Sequence, residues 1–253
     1  MLRAHGLSLK IAGRTLCAGL DVELRPGENW VILGANGSGK TTLLHAFAGL
    51  RAPEAGRVSL DDRDIGAIPP RARARRLGVL LQEAESEFPA TVMETVMTGR
   101  HPHLDRWQWE GAQDYQAAEA ALAAVGLGEL AHRSLSTLSG GERRRVEIAA
   151  LLTQDAPVCL LDEPTNHLDL RHQTEVLELL AGRARRPGHL NVFVLHDVNL
   201  AARFGTHALL LFDHGECRHG PLAGMLNLPN LERLYRCRLR AVRDGDHTWF
   251  LPA

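Results

Sequence analysis

The sequence predicts an α/β protein built around a mainly parallel sheet, and two kinds of segment carry this prediction. Compact apolar runs occur at 30–33, 158–161 and 192–195, and each is typical of a strand buried on both faces. Between them lie longer segments with apolar residues at helical spacing or with many alanines and leucines. Because strands that alternate with helices form parallel sheets, we expect an α/β fold over the 253 residues.

Residues 5–32 predict a second, antiparallel sheet. Leu7, Leu9 and Ile11 alternate with polar residues, Val22 and Leu24 do the same, and a proline–glycine turn follows. Downstream, short strands are expected at 58–60 and 79–81, and a helix is expected at 41–50. The amino-terminal part should therefore combine an antiparallel β subdomain with the start of the parallel core.

Residues 83–155 predict a mostly helical insertion, because alanine- and leucine-rich stretches such as 114–125 replace the strands there. We therefore expect one domain, 1–253, with a core over about 1–82 and 156–253 and a helical subdomain over about 83–155. Near the carboxyl end, residues 208–217 predict a hairpin and residues 221–236 predict two short helices.

The charge of the chain is evidence against a nucleic-acid partner. The formal net charge is −1, so no overall positive field would attract a polyanion or an anionic membrane. Arginines do cluster at 71–76 and at 143–145, and both clusters are expected to lie on solvated helix faces. No stretch approaches 18 consecutive apolar residues, so a role at a membrane would be that of a peripheral subunit.

The four cysteines indicate neither a zinc site nor a redox pair, because none forms a C-x-x-C spacing. Cys159 lies inside an apolar run and is predicted to be a buried thiol. This usage fits a reducing compartment such as the cytosol.

Residues 34–41 match the phosphate-binding pattern G-x-x-x-x-G-K-[ST], and a buried strand precedes them while a helix follows. Glycines let successive backbone N–H groups point at phosphate oxygens, and the helix N-terminus adds partial positive charge. We expect Lys40 to reach the β- and γ-phosphates of ATP and the Thr41 hydroxyl to ligate Mg²⁺. The core is thus predicted to be of the P-loop NTPase type. The predicted phosphate-binding residues are Gly34, Asn36, Gly37, Ser38, Gly39, Lys40, Thr41 and Thr42.

The strand predicted at 158–161 ends in two acids, Asp162 and Glu163. Ligands bind at the carboxyl edge of such sheets, and phosphate transfer to water needs both a metal ligand and a base. Asp162 is predicted to hold Mg²⁺ through water, and Glu163 is predicted to polarise the attacking water. Two adjacent acids also occur in ordinary solvated turns, so this interpretation depends on the phosphate loop.

The stretch Leu-Ser-Gly-Gly-Glu at 138–142 opens a predicted helix and therefore supplies a second anion site. A second phosphate-binding loop makes sense if it serves a nucleotide held by another copy of the chain. With this stretch 20 residues before the paired acids, the chain resembles the ATP-binding subunits of ABC transporters. The resemblance implies a head-to-tail pair in which each ATP lies between Lys40 of one chain and Ser139, Gly140 and Gly141 of the other.

The resemblance covers essentially the whole chain and implies three further site residues. Gln82 matches the glutamine that touches Mg²⁺ and water, and Asp169 matches the aspartate that crosses the dimer interface. His196, directly after the strand at 192–195, matches the histidine that contacts the γ-phosphate. The catalytic set is therefore predicted to be Lys40, Gln82, Glu163 and His196.

One position departs from the family pattern. The residue that usually stacks on adenine is aromatic, but the matching residue here is Ile11, with Arg14 nearby. An apolar contact from Ile11 or a cation–π contact from Arg14 is expected to replace the stacking. Selectivity for the nucleotide base should then be weaker than in members with the aromatic residue.

The segments around 91–96 and 99–104 resemble the importer group that handles iron–siderophores, haem and cobalamin. This resemblance implies an ATPase at the cytoplasmic face of the inner membrane that powers import of a metal chelate, cobalamin or a ferric siderophore before haem. Its partners would be membrane permease subunits, a second copy of itself and, indirectly, a substrate-binding protein. Two other classes stay open: a soluble ABC ATPase of DNA repair or translation, and a nucleotide-dependent regulator outside transport.

Overall fold

The computed structural model describes residues 1–82, 90–105, 107–245 and 247–253. Its strands are β1 Leu2–Ile11, β2 Arg14–Leu24, β3 Asn29–Gly34, β4 Ala55–Leu60, β5 Arg63–Asp64, β6 Leu77–Leu80, β7 Val158–Asp162, β8 Leu190–Val194, β9 His207–Leu211, β10 Cys217–Pro221, β11 Leu239–Asp244 and β12 His247–Pro252. Its α-helices are α1 Lys40–Phe47, α2 Pro70–Ala74, α3 Val92–Met97, α4 Ala112–Ala124, α5 Gly140–Gln154, α6 Leu170–Arg183, α7 Val198–Phe204, α8 Leu222–Met225 and α9 Leu228–Tyr235.

Two sheets build the body of the protein. The central sheet has the strand order β10-β9-β3-β8-β7-β6 and is parallel except for β10, which pairs antiparallel with β9. A four-stranded sheet, β2-β1-β4-β5, is antiparallel throughout. The predicted fold class, a mainly parallel core with an amino-terminal antiparallel sheet and helices, is confirmed.

The central sheet has a hydrophobic core on each face, because successive strand residues point to opposite sides. From β3, Trp30 and Ile32 pack with α1 and the antiparallel sheet. Val31 and Leu33 pack instead with the helices on the other face, α3 to α7. Because the strands from β6 to β9 in this sheet are parallel, their carboxyl ends lie at one edge, between the two cores.

Between β6 and β7 the described residues form helices and no strand. The predicted division at about 83–155 stays a prediction, and residues 83–89 of it lie outside the described part. The hairpin expected at 208–217 is present as β9 and β10, and the two helices expected over 221–236 are α8 and α9. Strands β11 and β12 are absent from the sequence-based prediction, because β11 is almost entirely exposed and shows no regular apolar alternation.

The thiols differ widely in access. Cys17 and Cys159 are buried, Cys217 is half-buried and Cys237 is exposed. Burial also raises the pKa of the Cys159 thiol, which further lowers its reactivity because the thiolate is the reacting form.

Titration with a thiol reagent in the native state should therefore modify Cys237 first, and Cys159 only after unfolding. Measured by absorbance over time, a Cys237→Ser variant should lose the fast phase. Equal rates for all thiols in the folded protein would contradict this burial pattern.

Candidate nucleotide site

The carboxyl ends of β3, β6, β7 and β8 bring most of the predicted site residues to one edge of the central sheet. The phosphate loop leaves β3 and enters α1, Gln82 follows β6, the two acids end and follow β7, and His196 follows β8. This is the edge at which ligands bind in parallel sheets.

The turn from β3 into α1 needs glycine at two places. A Cβ on Gly34 would lie 2.4 Å from Ser38 Oγ, and a Cβ on Gly39 would lie 2.8 Å from the side chain of Leu16. Gly39 also has φ of 98°, a left-handed conformation that side chains other than glycine rarely adopt. A side chain at either position would therefore collide with Ser38 in the loop or with Leu16 on β2.

The start of α1 is open to an anion. No side chain caps the helix and no acid lies in its first turn, so the first backbone N–H groups have no competing carboxylate. Asn36 and Gly37 are exposed, while Thr41 and Thr42 are half-buried in the first turn. The predicted phosphate-binding residues thus surround one helix N-terminus.

Lys40 is only 6% exposed and its ammonium lies beneath the loop. Its Nζ donates to the carbonyls of Gly34, at 3.0 Å, and Ala35, at 3.2 Å. Burial lowers the pKa of Lys40, and the nearby carboxylates of Glu163 and Asp162 oppose that shift. The cation is therefore held inside the loop, next to the two acids.

Asp162 is fully buried, at 0% exposure. Neither of its carboxylate oxygens has a hydrogen-bond partner of good geometry in the described part of the chain, although the Thr41 hydroxyl lies close enough to lower the pKa. Burial outweighs this and raises the pKa of Asp162, with the Glu163 charge adding to it. A buried carboxylate without a protein partner, beside a hydroxyl, is a donor set that fits a small cation with oxygen ligands.

This cation would need ligands beyond the protein. Over residues 1–82, 90–105, 107–245 and 247–253, no cluster of three or more His, Cys, Asp or Glu side chains could hold a metal by itself. Phosphate oxygens of a bound nucleotide supply the missing ligands in sites of this kind.

Glu163 lies at the centre of a polar cluster. Its carboxylate accepts a hydrogen bond from Gln82 Nε2 at 3.2 Å and further bonds from Asn166 Nδ2 and from His196 Nε2. Its backbone has φ of 47°, which is costly for a residue with a side chain and persists only where the surroundings impose it. The predicted base, glutamine and histidine are therefore in direct contact, and Asn166 is a partner that sequence reasoning did not identify.

The second predicted anion loop, the signature stretch at 138–142, lies elsewhere on the surface. Ser139, Gly140, Gly141 and Asp169 line a cavity of about 480 Å³, and no residue of the phosphate loop lines it. Gly141 is required there, because a Cβ would lie 2.9 Å from the carbonyl oxygen of His167. Asp169 therefore lies beside the signature stretch. Neither Asp169 nor that stretch shares a cavity with the loop at 34–41, which would hold the phosphates in the same chain.

At the base end, the two predicted residues are cross-strand partners on β1 and β2, but only Arg14 lines a cavity beside the phosphate loop. Arg14 lines a cavity of about 790 Å³ together with Ala35, Asn36 and Ser38 of the phosphate loop, and its guanidinium lies 3.6 Å from Asp213. Ile11 is 40% exposed on the neighbouring strand and does not line that cavity.

Arg144 corrects one expectation from the sequence. The cluster 143–145 was expected on a solvated helix face, but Arg144 is only 3% exposed and donates to backbone carbonyls at the carboxyl edge. The expectation was wrong because a run of arginines carries no periodicity that separates an inward side chain from its outward neighbours.

Comparisons with known proteins agree with this geometry. The family model described as ABC transporter matches residues 17–166, more than half of the chain. The ferric enterobactin transport ATP-binding protein of Escherichia coli (strain K12) is 38% identical over 246 residues, which are 96% of this chain and 90% of that protein. The hemin import ATP-binding protein of Pseudomonas entomophila (strain L48) is 45% identical over 220 residues, which are 85% of this chain and 84% of that protein.

A solved structure extends the likeness to the fold. A dimeric ATP-binding cassette in a post-hydrolysis state, bound to ADP and Pi, matches with a TM-score of 0.77 at 27% identity and covers 88% of this chain and 99% of that chain. The phosphate loop, the paired acids and the signature stretch all lie within or beside the matched family region. The chain therefore belongs to the ABC transporter family, as an ATP-binding and ATP-hydrolysing protein.

Proposed function

We propose that this chain is the ATPase subunit of an importer for a metal chelate, and that two copies share their ATP sites head to tail. The cargo class is supported by the relatives named for ferric enterobactin and hemin, which cover nearly all of the chain. The shared sites are supported by the cavity at Ser139, Gly140 and Gly141, which contains no residue of the phosphate loop. A dimeric cassette of the same fold agrees with this arrangement.

Within each site, the described residues divide the work. Lys40 and the first turn of α1 would bind the phosphates, and Asp162 with Thr41 and Gln82 would hold Mg²⁺, which would neutralise charge on the phosphates. Glu163 would take a proton from water. Gln82 and His196 already contact its carboxylate, so the γ-phosphate would have to compete with Glu163 for His196.

The proposed partners are membrane permease subunits, and the proposed place is the cytoplasmic face of the inner membrane. Among the described residues, no helix is both long and apolar enough to cross a bilayer. The resemblance to ABC transporters implies that the segment after Gln82 contacts the membrane subunit. Its first residues, 83–88, lie outside the described residues, and it continues through α3.

Reconstitution with a candidate permease in vesicles tests the proposal. ATP hydrolysis in vesicles should rise severalfold when the matching binding protein is loaded with one chelate among a ferric siderophore, haem and cobalamin. A chain that binds no permease but forms a stable complex with nucleic acid would instead support the DNA repair or translation class. A chain that binds ATP without turnover would support the regulator.

The base end of the site yields a separate prediction. Ile11→Tyr should tighten ATP binding about 2- to 10-fold, because ring stacking adds about 0.5–1.5 kcal/mol. The ratio of ATP to GTP affinity should also change, measured by calorimetry. Val242→Tyr, at another exposed apolar position, is the control and should change neither. An Ile11→Tyr variant with unchanged affinity would mean that the base lies away from Ile11.

A further inference from the structure

A buried arginine, Arg144, lies on α5, the signature helix, which begins in the signature stretch. It connects this helix to the catalytic edge, the edge of the central sheet at which Gln82 and Glu163 lie. It lies one turn into α5, which begins at Gly140. Its neighbour Arg143 is exposed and Arg145 is half-buried, whereas Arg144 is 3% exposed. Burying a guanidinium is costly unless its donors are paired, so its partners indicate what it is for.

Three of those partners are backbone carbonyls at the ends of neighbouring strands, and the fourth is a carboxylate on α5. Nη2 donates to the carbonyl of Asp162 at 2.6 Å and to the carbonyl of Glu163 at 2.9 Å. Nη1 donates to the carbonyl of Leu81 at 2.7 Å, directly after β6. Nη1 also donates to the carboxylate of Glu147 at 2.6 Å, one turn further along α5, which neutralises the charge. The planar guanidinium of Arg144 thus connects the carboxyl ends of β6 and β7 to α5 by hydrogen bonds.

These contacts fix the backbone of the residues proposed to act on water. Glu163 has a left-handed backbone that its surroundings must impose, and a hydrogen bond to its carbonyl restricts that backbone. Leu81 immediately precedes Gln82, which donates to the Glu163 carboxylate. A rigid guanidinium fork with several donors sets relative positions more firmly than a single point donor.

We propose that Arg144 is a positioning residue for ATP hydrolysis, which holds Glu163 and Gln82 in register and ties both to the signature helix. This inference rests on the proposed shared sites. Since Ser139 and Gly140 would contact the ATP held by the partner copy, Arg144 links that ATP to the acids that serve the ATP of its own chain. A shift of the signature helix is then transmitted to the backbone of the proposed base.

The chain offers a matched control for a purely structural role. Arg183 is also buried, at 8% exposure, and donates to the carbonyl of Ala156 at 3.1 Å and to Asp155 at 3.3 Å. These contacts lie at the opposite ends of α5 and β7. Arg183→Gln therefore removes another buried guanidinium, one that bonds to the connection between α5 and β7, without touching the catalytic edge.

The experiment compares purified Arg144→Gln, Arg144→Lys and Arg183→Gln for ATP affinity, kcat and thermal midpoint. Arg144→Gln should lower kcat about 10- to 100-fold with ATP affinity within about 3-fold, because misplacement of about 1 Å at a reacting centre has effects of this size. Arg144→Lys should recover part of the rate, since it retains one donor. Arg183→Gln should lower the thermal midpoint and leave kcat within about 2-fold.

If Arg144→Gln does not fold, a milder variant still tests the proposal. Glu147→Gln weakens the anchor of the guanidinium and should lower kcat severalfold, again at nearly constant ATP affinity. The proposal is overturned if kcat stays at the parent value in Arg144→Gln or in Glu147→Gln. It is also overturned if Arg183→Gln lowers kcat as much as Arg144→Gln. Failure of the shared-site proposal would show separately, as the absence of an ATP-dependent dimer in Glu163→Gln.

Discussion

Glu163→Gln should bind ATP with nearly the parent affinity while kcat falls at least about 100-fold, since a general base contributes about 10²- to 10⁴-fold. Glutamine has the size of glutamate, and its side-chain oxygen can still accept a hydrogen bond from Gln82 or Asn166. The lost group is the proton acceptor. Phosphate release measures the rate, and calorimetry measures the affinity.

Glu178→Gln is the control for this substitution. Glu178 lies on α6, forms an exposed ion pair with Arg203 and takes no part in the site, so its loss should leave kcat unchanged. Turnover of Glu163→Gln at the parent rate would mean that another group accepts the proton.

Asp162→Asn should have opposite effects on stability and on activity. The parent carboxylate is buried without a good hydrogen-bond partner, so removing its charge should stabilise the nucleotide-free fold by about 1–3 kcal/mol, a rise of a few degrees in thermal midpoint. Turnover with Mg²⁺ and ATP should be lost, because the predicted cation ligand is neutral.

The pH dependence of this difference follows from the direction of the pKa shift. Burial raises the pKa of Asp162, so the folded state holds a proton more readily than the unfolded chain, and stability falls as pH rises from the ordinary carboxyl pKa through the raised one. The gain from asparagine should therefore grow as pH rises and shrink on acidification. Calorimetric scans from pH 4 to 8 test this. A destabilised Asp162→Asn protein would contradict the account of an unpaired charge.

Local patterns were sufficient for the features that one segment can determine. The apolar runs predicted the central strands, because a strand buried on both faces must be continuously apolar. The loop at 34–41 and the acids after β7 were predictable because their chemistry needs adjacent residues in a fixed order.

Features that depend on distant segments were not predictable in this way. The partners of Arg144 lie 63, 18 and 19 residues away in the chain, and only the packing of α5 against β6 and β7 brings them together. The same holds for Asp213, which engages Arg14 from the far end of the chain. For β11 and β12, each strand pairs with the other in a two-stranded sheet, and β11 is almost entirely exposed, so its pattern lacks the alternation that a buried face produces.

Light scattering on Glu163→Gln tests the shared site most directly. With ATP and Mg²⁺ the mass should double from 27.8 kDa, because hydrolysis cannot reopen the pair. Adding Ser139→Arg should return the mass to one chain while ATP still binds through Lys40, since the arginine would block only the loop that serves the other copy. A double variant that remains a dimer, or that loses ATP binding as a single chain, would contradict the proposal that each ATP lies between two copies.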